Sequence, residues 1–410
     1  MDQATHSSAV RSVVIVCAAQ VLVQIGAFFW PALLPDMIAR WSLTNSEAGW
    51  ITAIFYAAYI VAVPVLVTLT DRIDPKRVYL FGAAMTVAGH ALFAAFADGF
   101  WSALAARALA GAGWAGTYMT GLKLLADKVD ARLLSRAAAG HAGSIGISGA
   151  LSFACADLLS NLAGWRFAFL AAAASALSAF VLIAATIPAS ARTAAAMPAG
   201  AALFDFRPVL RNRSAMAYAI AYCLHTFELS ALRGWGVAFL AFVATATGSG
   251  AAMSPTTTLM LFGLIGTLAS VLGNEAAIFF GRRRLIALAM AGSAACALVL
   301  AAWGAQSYYL AVVLVLIYAP IIWLDSSSLT AGTAGTAEPA RRGATLAVHS
   351  MLGYVGGFVG PLAVGWMLDL GGANASGGWG AAFTGIAVLM GLALLLFLAM
   401  RPRSLEGDRA

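Results

Sequence analysis

Charge is scarce in this chain. Only 10% of its 410 residues are Asp, Glu, Lys or Arg, against about 25% in an ordinary soluble domain, and 62% are hydrophobic. That balance excludes a water-soluble globular protein. Cysteine is scarce too: Cys17, Cys155, Cys223 and Cys296 fall in four different apolar runs. This excludes a disulfide framework and is too scattered for a zinc or iron-sulfur motif, so no metal and no cofactor is expected. Short alternating segments are missing, which disfavours a β-barrel. A basic region and small-residue cleavage site are missing ahead of the first apolar run, which is therefore read as a retained helix. No GxxxxGK[ST] loop is present to cradle a nucleotide, and no HExxH or GxSxG constellation to support an embedded enzyme, so no catalytic residue is expected.

What the chain does have is apolar runs of roughly 18 to 25 residues, the length a helix needs to cross about 30 Å of hydrocarbon. Twelve are expected, near 11–34, 46–70, 78–97, 101–125, 137–159, 165–187, 214–244, 255–280, 285–304, 308–330, 343–368 and 379–400. The formal charge of +7 is spread asymmetrically. Arg11, the 72–77 and 123–136 loops, the 192–213 segment, Arg282–Arg284, Arg341, Arg342 and the C-terminal tail all fall on one side, with Arg40 and Arg166 outside that set. The positive-inside rule makes that side cytoplasmic and puts both termini there. No aromatic-interleaved basic face for nucleic acid is evident. A multi-pass bacterial inner-membrane protein is expected, monomeric, with the lipid bilayer as its surroundings.

The polar interruption at 188–213 divides the runs six and six. The expected domains are a six-helix bundle at 1–190, a cytoplasmic linker at 191–213 and a second bundle at 214–410. Landmarks recur on either side. A basic turn follows the second helix of each half, "DRIDPKR" at 71–77 and "FFGRRR" at 279–284, and the sixth helix opens on GWxxAF at Gly164 and again at Gly378.

At these residues the chain resembles the major facilitator superfamily of secondary transporters. "DRIDPKR" is similar to the family's signature between helices 2 and 3, with Asp71, Arg72, Lys76 and Arg77 matching, Val67 and Asp74 standing where the family has glycine. "RALAGAG" at 107–113 is similar to the fourth-helix motif, and "GYVGGFVGP" ending at Pro361 to the glycine-rich eleventh helix. The resemblance implies an all-α integral membrane fold of twelve transmembrane helices in two pseudo-symmetric six-helix bundles. It implies a gating role for Asp71, Arg72, Lys76 and Arg77, with Asp127 as partner. It also implies that helices 1, 4, 7 and 10 line a central substrate cavity.

Ionisable groups at membrane depth cost several kcal/mol and usually face a cavity or a partner. Hydropathy alone finds Arg107 on helix 4, His225, Glu228 and Arg233 on helix 7, and Asp325 on helix 10, with Gln20 and Gln24 one turn apart on helix 1. All fall on the implied cavity helices. His225 and Glu228 are expected near mid-bilayer, and Gly234 with Gly236 are expected to break helix 7 just after Arg233. Glu228 and Asp325 are candidate proton carriers; Arg107, Arg233, His225, Gln20 and Gln24 are candidate solute contacts, the two arginines suiting a carboxylate or similar anion. The competing reading pairs Glu228 with Arg233 or Arg107 in a structural salt bridge. His141 and His349 are expected to be satisfied structurally, and His90 to be core. The expected function is proton-coupled secondary transport of a small organic anion or zwitterion. A drug/proton antiporter is the alternative, weakened by "GSIGISGA" at 143–150 lacking the glycine-proline motif and by the absence of a mid-membrane acid on helix 1.

Overall fold

A computed structural model describes the chain except residues 1–2, 71, 127, 130, 190–205, 250–252, 372–375, 406–407 and 409–410. Among the described residues there is no strand, and the regular structure is α-helix apart from a 3-10 turn at Pro339–Arg341. In chain order the helices are α1 (Gln3–Gln24), α2 (Phe29–Ala32), α3 (Leu34–Trp41), α4 (Asn45–Leu69), α5 (Pro75–Phe96), α6 (Phe100–Ala126), α7 (Ala131–Ala163), α8 (Trp165–Thr186), α9 (Arg207–Arg211), α10 (Arg213–Thr247), α11 (Pro255–Phe280), α12 (Arg282–Trp303), α13 (Tyr308–Trp323), α14 (Ser326–Thr336), α15 (Arg342–Gly371) and α16 (Ser376–Met400). Ten stretches, with α13 and α14 counted together, are long and apolar enough to cross a membrane, and Ala9–Gln24 is a shorter apolar helix. The remaining expected span is α6, which is long enough at 27 residues, but its arginine, lysine and glycines dilute its hydropathy. Most of the expected linker lies outside the described residues.

The helix starts follow local chemistry. Asp74 caps α5, its carboxylate accepting from the Lys76 N–H at 2.9 Å, with Pro75 in the first turn. Ser254 caps α11 and Asn212 caps α10 in the same way. Side-chain acceptors there satisfy N–H groups that no helical carbonyl reaches. The repeated GWxxAF motif makes one contact twice. Trp165 and Phe169 meet at 6.5 Å in α8, and Trp379 and Phe383 at 6.4 Å in α16. Gly164, at φ 86°, caps α8, while Gly378 lies in the first turn of α16.

The chain forms two compact units, one of Met1–Leu33 with Ile54–Ala199 and one of Leu34–Ala53 with Gly200–Ala410. In the first, α5 packs on α6 and α8, and α1 on α7 and α8. In the second, α10 packs on α15, α12 on α16 and α11 on α13. Small residues set these distances. A Cβ on Gly111 would lie 2.1 Å from the Phe55 carbonyl oxygen, and one on Gly356 would lie 1.9 Å from that of Cys223. Within a bundle such close approach replaces the hydrophobic drive that lipid does not supply.

Two expected helices are interrupted. The first stops at Gln24 and resumes as α2, and the tenth is split between α13 and α14. The break expected after Arg233 is not found: α10 runs unbroken from Arg213 to Thr247. Gly234 and Gly236 serve packing there, facing Thr52 with Pro361 and Leu259 respectively.

Gly111→Ala should lower unfolding stability by about 1–3 kcal/mol, because backbone and not a movable side chain meets the new methyl. Gly143→Ala, with open space around it, should be close to neutral. Thermal unfolding in detergent checks the contrast.

Candidate functional site

In the first unit the chemistry gathers at the break in helix 1. Gly26 sits where a Cβ would lie 2.6 Å from His90 Nε2, so the chain passes tight against α5 and leaves the helical path. The freed backbone groups are taken by side chains. Arg107 Nη1 donates to the Ala27 carbonyl at 3.0 Å, and the Phe28 N–H donates to Ser152 Oγ at 3.0 Å. Non-helical backbone at membrane depth is tolerated where such partners re-satisfy it. Arg107 lies one turn before Gly111, so the close approach of α6 to Phe55 also lays the guanidinium over the Phe55 ring, 4.5 Å from its centroid.

Arg107 is 2% exposed, and its Nε has no hydrogen-bond partner. Gln20 donates to Gln24 Oε1 at 2.9 Å, both side chains buried. That leaves Gln20 Oε1 and Gln24 Nε2 without hydrogen-bond partners. A small cavity is lined by Gln24, Phe55, Thr86, His90, Trp114 and Thr117 among others. Two buried donors, Arg107 Nε and Gln24 Nε2, and one buried acceptor, Gln20 Oε1, therefore lie without hydrogen-bond partners around the guanidinium. Buried polar groups normally have partners, so the arrangement is suited to an anionic or acceptor-rich group. His90, expected as core, is buried and lines this cavity; Trp114 gave no sequence signal, since an aromatic in an apolar run reads as packing.

In the second unit the acids gather on α10 and at the break between α13 and α14. Glu228 is fully buried, and the Tyr318 hydroxyl of α13 donates to its Oε1. Its other oxygen has no hydrogen bond of good geometry, with Ser293 of α12 beside it. His225 Nδ1 lies 3.0 Å from Asp325 Oδ1, both groups buried. The contact is close without hydrogen-bond alignment at that oxygen, so it is an ion-pair-like approach. Asp325 is the residue just before α14, where the helix is broken and Pro320 lies one turn upstream.

Aromatic and hydroxyl groups extend the cluster. Tyr222 stacks on His225 at 5.7 Å and on His349 at 4.0 Å between ring centroids. His349 is held by the Thr333 hydroxyl at 3.0 Å and the Thr330 hydroxyl at 3.2 Å. Arg233 is half-buried, with its guanidinium 4.6 Å from the Trp323 ring centroid. Tyr318, Tyr222, Thr330 and Thr333 were invisible to hydropathy because their hydroxyls are small interruptions in apolar helices.

Residues 16–319 match the Major Facilitator Superfamily. The chain belongs to that family. No curated protein sequence matches it. Among solved structures it is similar to a bacterial homologue of the human lysosomal transporter Spinster in an inward-facing, unoccupied conformation, at 13% identity and a TM-score of 0.79, with 98% of each chain covered. It is also similar to the human organic anion transporter MFSD10, at 19% identity and a TM-score of 0.67, covering 94% of this chain and 99% of that one. The nucleoside transporter NupG is similar at 15% identity and a TM-score of 0.72, with 95% and 99% covered. These likenesses establish the twelve-helix superfamily fold and a multi-pass membrane protein.

Of the superfamily's signature turn, Asp71 and its implied partner Asp127 lie outside the described residues. Lys76 Nζ donates to the Ala184 and Ile187 carbonyls at 2.8 and 2.6 Å, capping the end of α8. A cation at a helix C-terminus meets unpaired carbonyls and the negative end of the dipole. His141 Nε2 lies 3.0 Å from the Tyr118 carbonyl oxygen.

Tyr318→Phe should cost about 1–3 kcal/mol of stability by leaving the Glu228 oxygen without its donor. In combination with Glu228→Gln the two losses should be strongly non-additive, since the residues share one contact. A double-mutant cycle of unfolding midpoints checks both statements.

Proposed function

We propose that this superfamily member is a proton-coupled secondary transporter of a small organic anion or zwitterion, working by alternating access. The observations that carry the reading are a buried guanidinium beside the helix break of the first unit and two buried carboxyls beside that of the second. The first unit holds Arg107, hydrogen-bonded to a neutral carbonyl and laid on a phenyl ring. The second holds the carboxyls of Glu228 and Asp325, partnered by Tyr318 and His225. A guanidinium kept at depth with unused donors favours a solute that brings negative charge. Gln20 and Gln24 extend the donor and acceptor set beside it. A carboxyl kept at depth beside hydroxyl and imidazole groups is equipped to gain and lose a proton as its access to water changes. Moving an anion together with protons also limits the net charge carried across the membrane, which is expensive against a potential.

In this reading Glu228 is the coupling residue and Asp325 with His225 is its neighbour in the proton path. Arg233, stacked on Trp323, is a second solute contact. The turn of Asp71, Arg72, Lys76 and Arg77, with Asp127, controls gating. The charge bias of the loops supports a bacterial inner-membrane location with both termini cytoplasmic. Drug efflux by the same coupling is the second reading. It would show as outward movement of lipophilic cations, for which Arg107 is an obstacle.

Uptake into proteoliposomes under an imposed pH gradient, with labelled carboxylates, amino acids and sugars, tests the assignment. Glu228→Gln should abolish pH-driven accumulation and retain solute exchange, and Arg107→Ala should abolish solute binding. Accumulation by Glu228→Gln with unchanged pH dependence would make Glu228 a structural group and overturn the coupling role.

A further inference from the structure

The most heavily bonded buried cation in the second unit takes no part in the site above. Arg282 opens α12, is 2% exposed, and uses its whole guanidinium. Nε and Nη2 donate to Asp408 Oδ2 and Oδ1, each at 3.0 Å, a fork on a carboxylate. Nη1 donates to Asn274 Oδ1 at 3.1 Å on α11 and to the Ser328 carbonyl at 3.2 Å on α14. One side chain thus ties three helices to the segment that follows α16. The Asp408 carboxylate is as buried as its partner, at 2% against 3% side-chain exposure. A bidentate guanidinium–carboxylate pair is both the strongest and the most direction-sensitive of ordinary ion pairs.

The rest of that segment is fastened in the same region. Arg401, at φ 48°, turns the chain off the end of α16, and Pro402 is buried. The Arg403 N–H donates to Ser214 Oγ at 3.1 Å, and the Tyr218 hydroxyl donates to the Arg403 carbonyl at 2.8 Å, both from α10. Leu405 rests on Gly335 of α14, where a Cβ would lie 2.5 Å from Leu405 Cδ2. The Leu405 N–H also donates to Asp408 Oδ2 at 3.1 Å, folding the segment back on its own acid.

Half-helix α14 is therefore gripped at both ends, near Ser328 through Arg282 and near Gly335 through Leu405. It is also the element whose first residue follows Asp325 and whose Thr330 and Thr333 hold His349. We propose that residues 401–405 together with Asp408 act as an intramolecular strap that fixes α14, and with it the His225–Asp325 approach, and whose release frees the half-helix to move. The strap acts on the second half of a broken helix, where the backbone break already supplies a hinge. The inference concerns the position of α14 and stands apart from the transport reading, so failure of one leaves the other intact.

Amide hydrogen exchange on the full-length protein in detergent tests it. Asp408→Asn should speed exchange across Ser326–Thr336 by about tenfold or more, with α12 and α16 of the same unit unchanged, because local opening is governed by the contacts that hold that element. Leu405→Ala leaves the Arg282 pair in place and should speed exchange in the same direction, chiefly around Gly335. If Asp408→Asn yields no folded protein, Leu405→Ala decides alone. Faster exchange confined to residues 401–405, or spread equally over every helix of the unit, overturns the strap, as does an unchanged α14 in the folded variants.

Discussion

Backbone that leaves the helix inside a bilayer must find its hydrogen-bond partners within the protein, because hydrocarbon offers none. This constraint organises the molecule. At the break between α1 and α2 the carbonyl of Ala27 and the amide of Phe28 are taken by Arg107 and Ser152, side chains from α6 and α7. A side chain with spare donors beyond the one it spends on the backbone is what the break requires. At the second break Asp325 stands just before α14 against His225, so the irregular backbone and the titratable groups again coincide.

Close packing is the means by which these groups meet. Gly111 brings α6 against Phe55 and so sets Arg107 over the ring one turn away. Gly356 brings α15 against the Cys223 carbonyl, which places His349 and Tyr222 in stacking contact. The glycine motifs and the charged residues are thus one device: small residues remove the space that would otherwise separate polar groups on neighbouring helices. The observed hydrogen bond to Glu228 comes from a hydroxyl on the neighbouring helix, that of Tyr318.

The strap of residues 401–405 and Asp408 belongs to the same logic seen from the end of the bundle. A half-helix separated from its partner by a break has fewer covalent constraints, and its position depends on side-chain ties. Arg282 supplies those ties on one side and Leu405 on the other.

Hydropathy and charge counting were enough for the class of fold, since a helix satisfies its own backbone in lipid and twelve continuous apolar runs leave little choice. They were also enough to pick out Arg107, His225, Glu228, Arg233 and Asp325, because a charge at membrane depth is conspicuous in one dimension. The location of the helix breaks was not legible. Gly234 and Gly236 read as a break yet lie in continuous α10, whereas Gly26 and Leu324 mark the interruptions. A glycine permits a break and equally permits close packing, and only the neighbouring helix decides which. Nor was it legible that Tyr318, Trp114, His90 and Thr333 join the polar clusters, because an aromatic or hydroxyl residue in an apolar helix is compatible with either face. The sequence by itself determined the number of spans and which of them carry charge at membrane depth; tertiary packing decided where the spans break, that Arg282 and Asp408 are buried, and whom each charge meets, since partners on different helices are set by inter-helix distance and rotation, which no local pattern encodes.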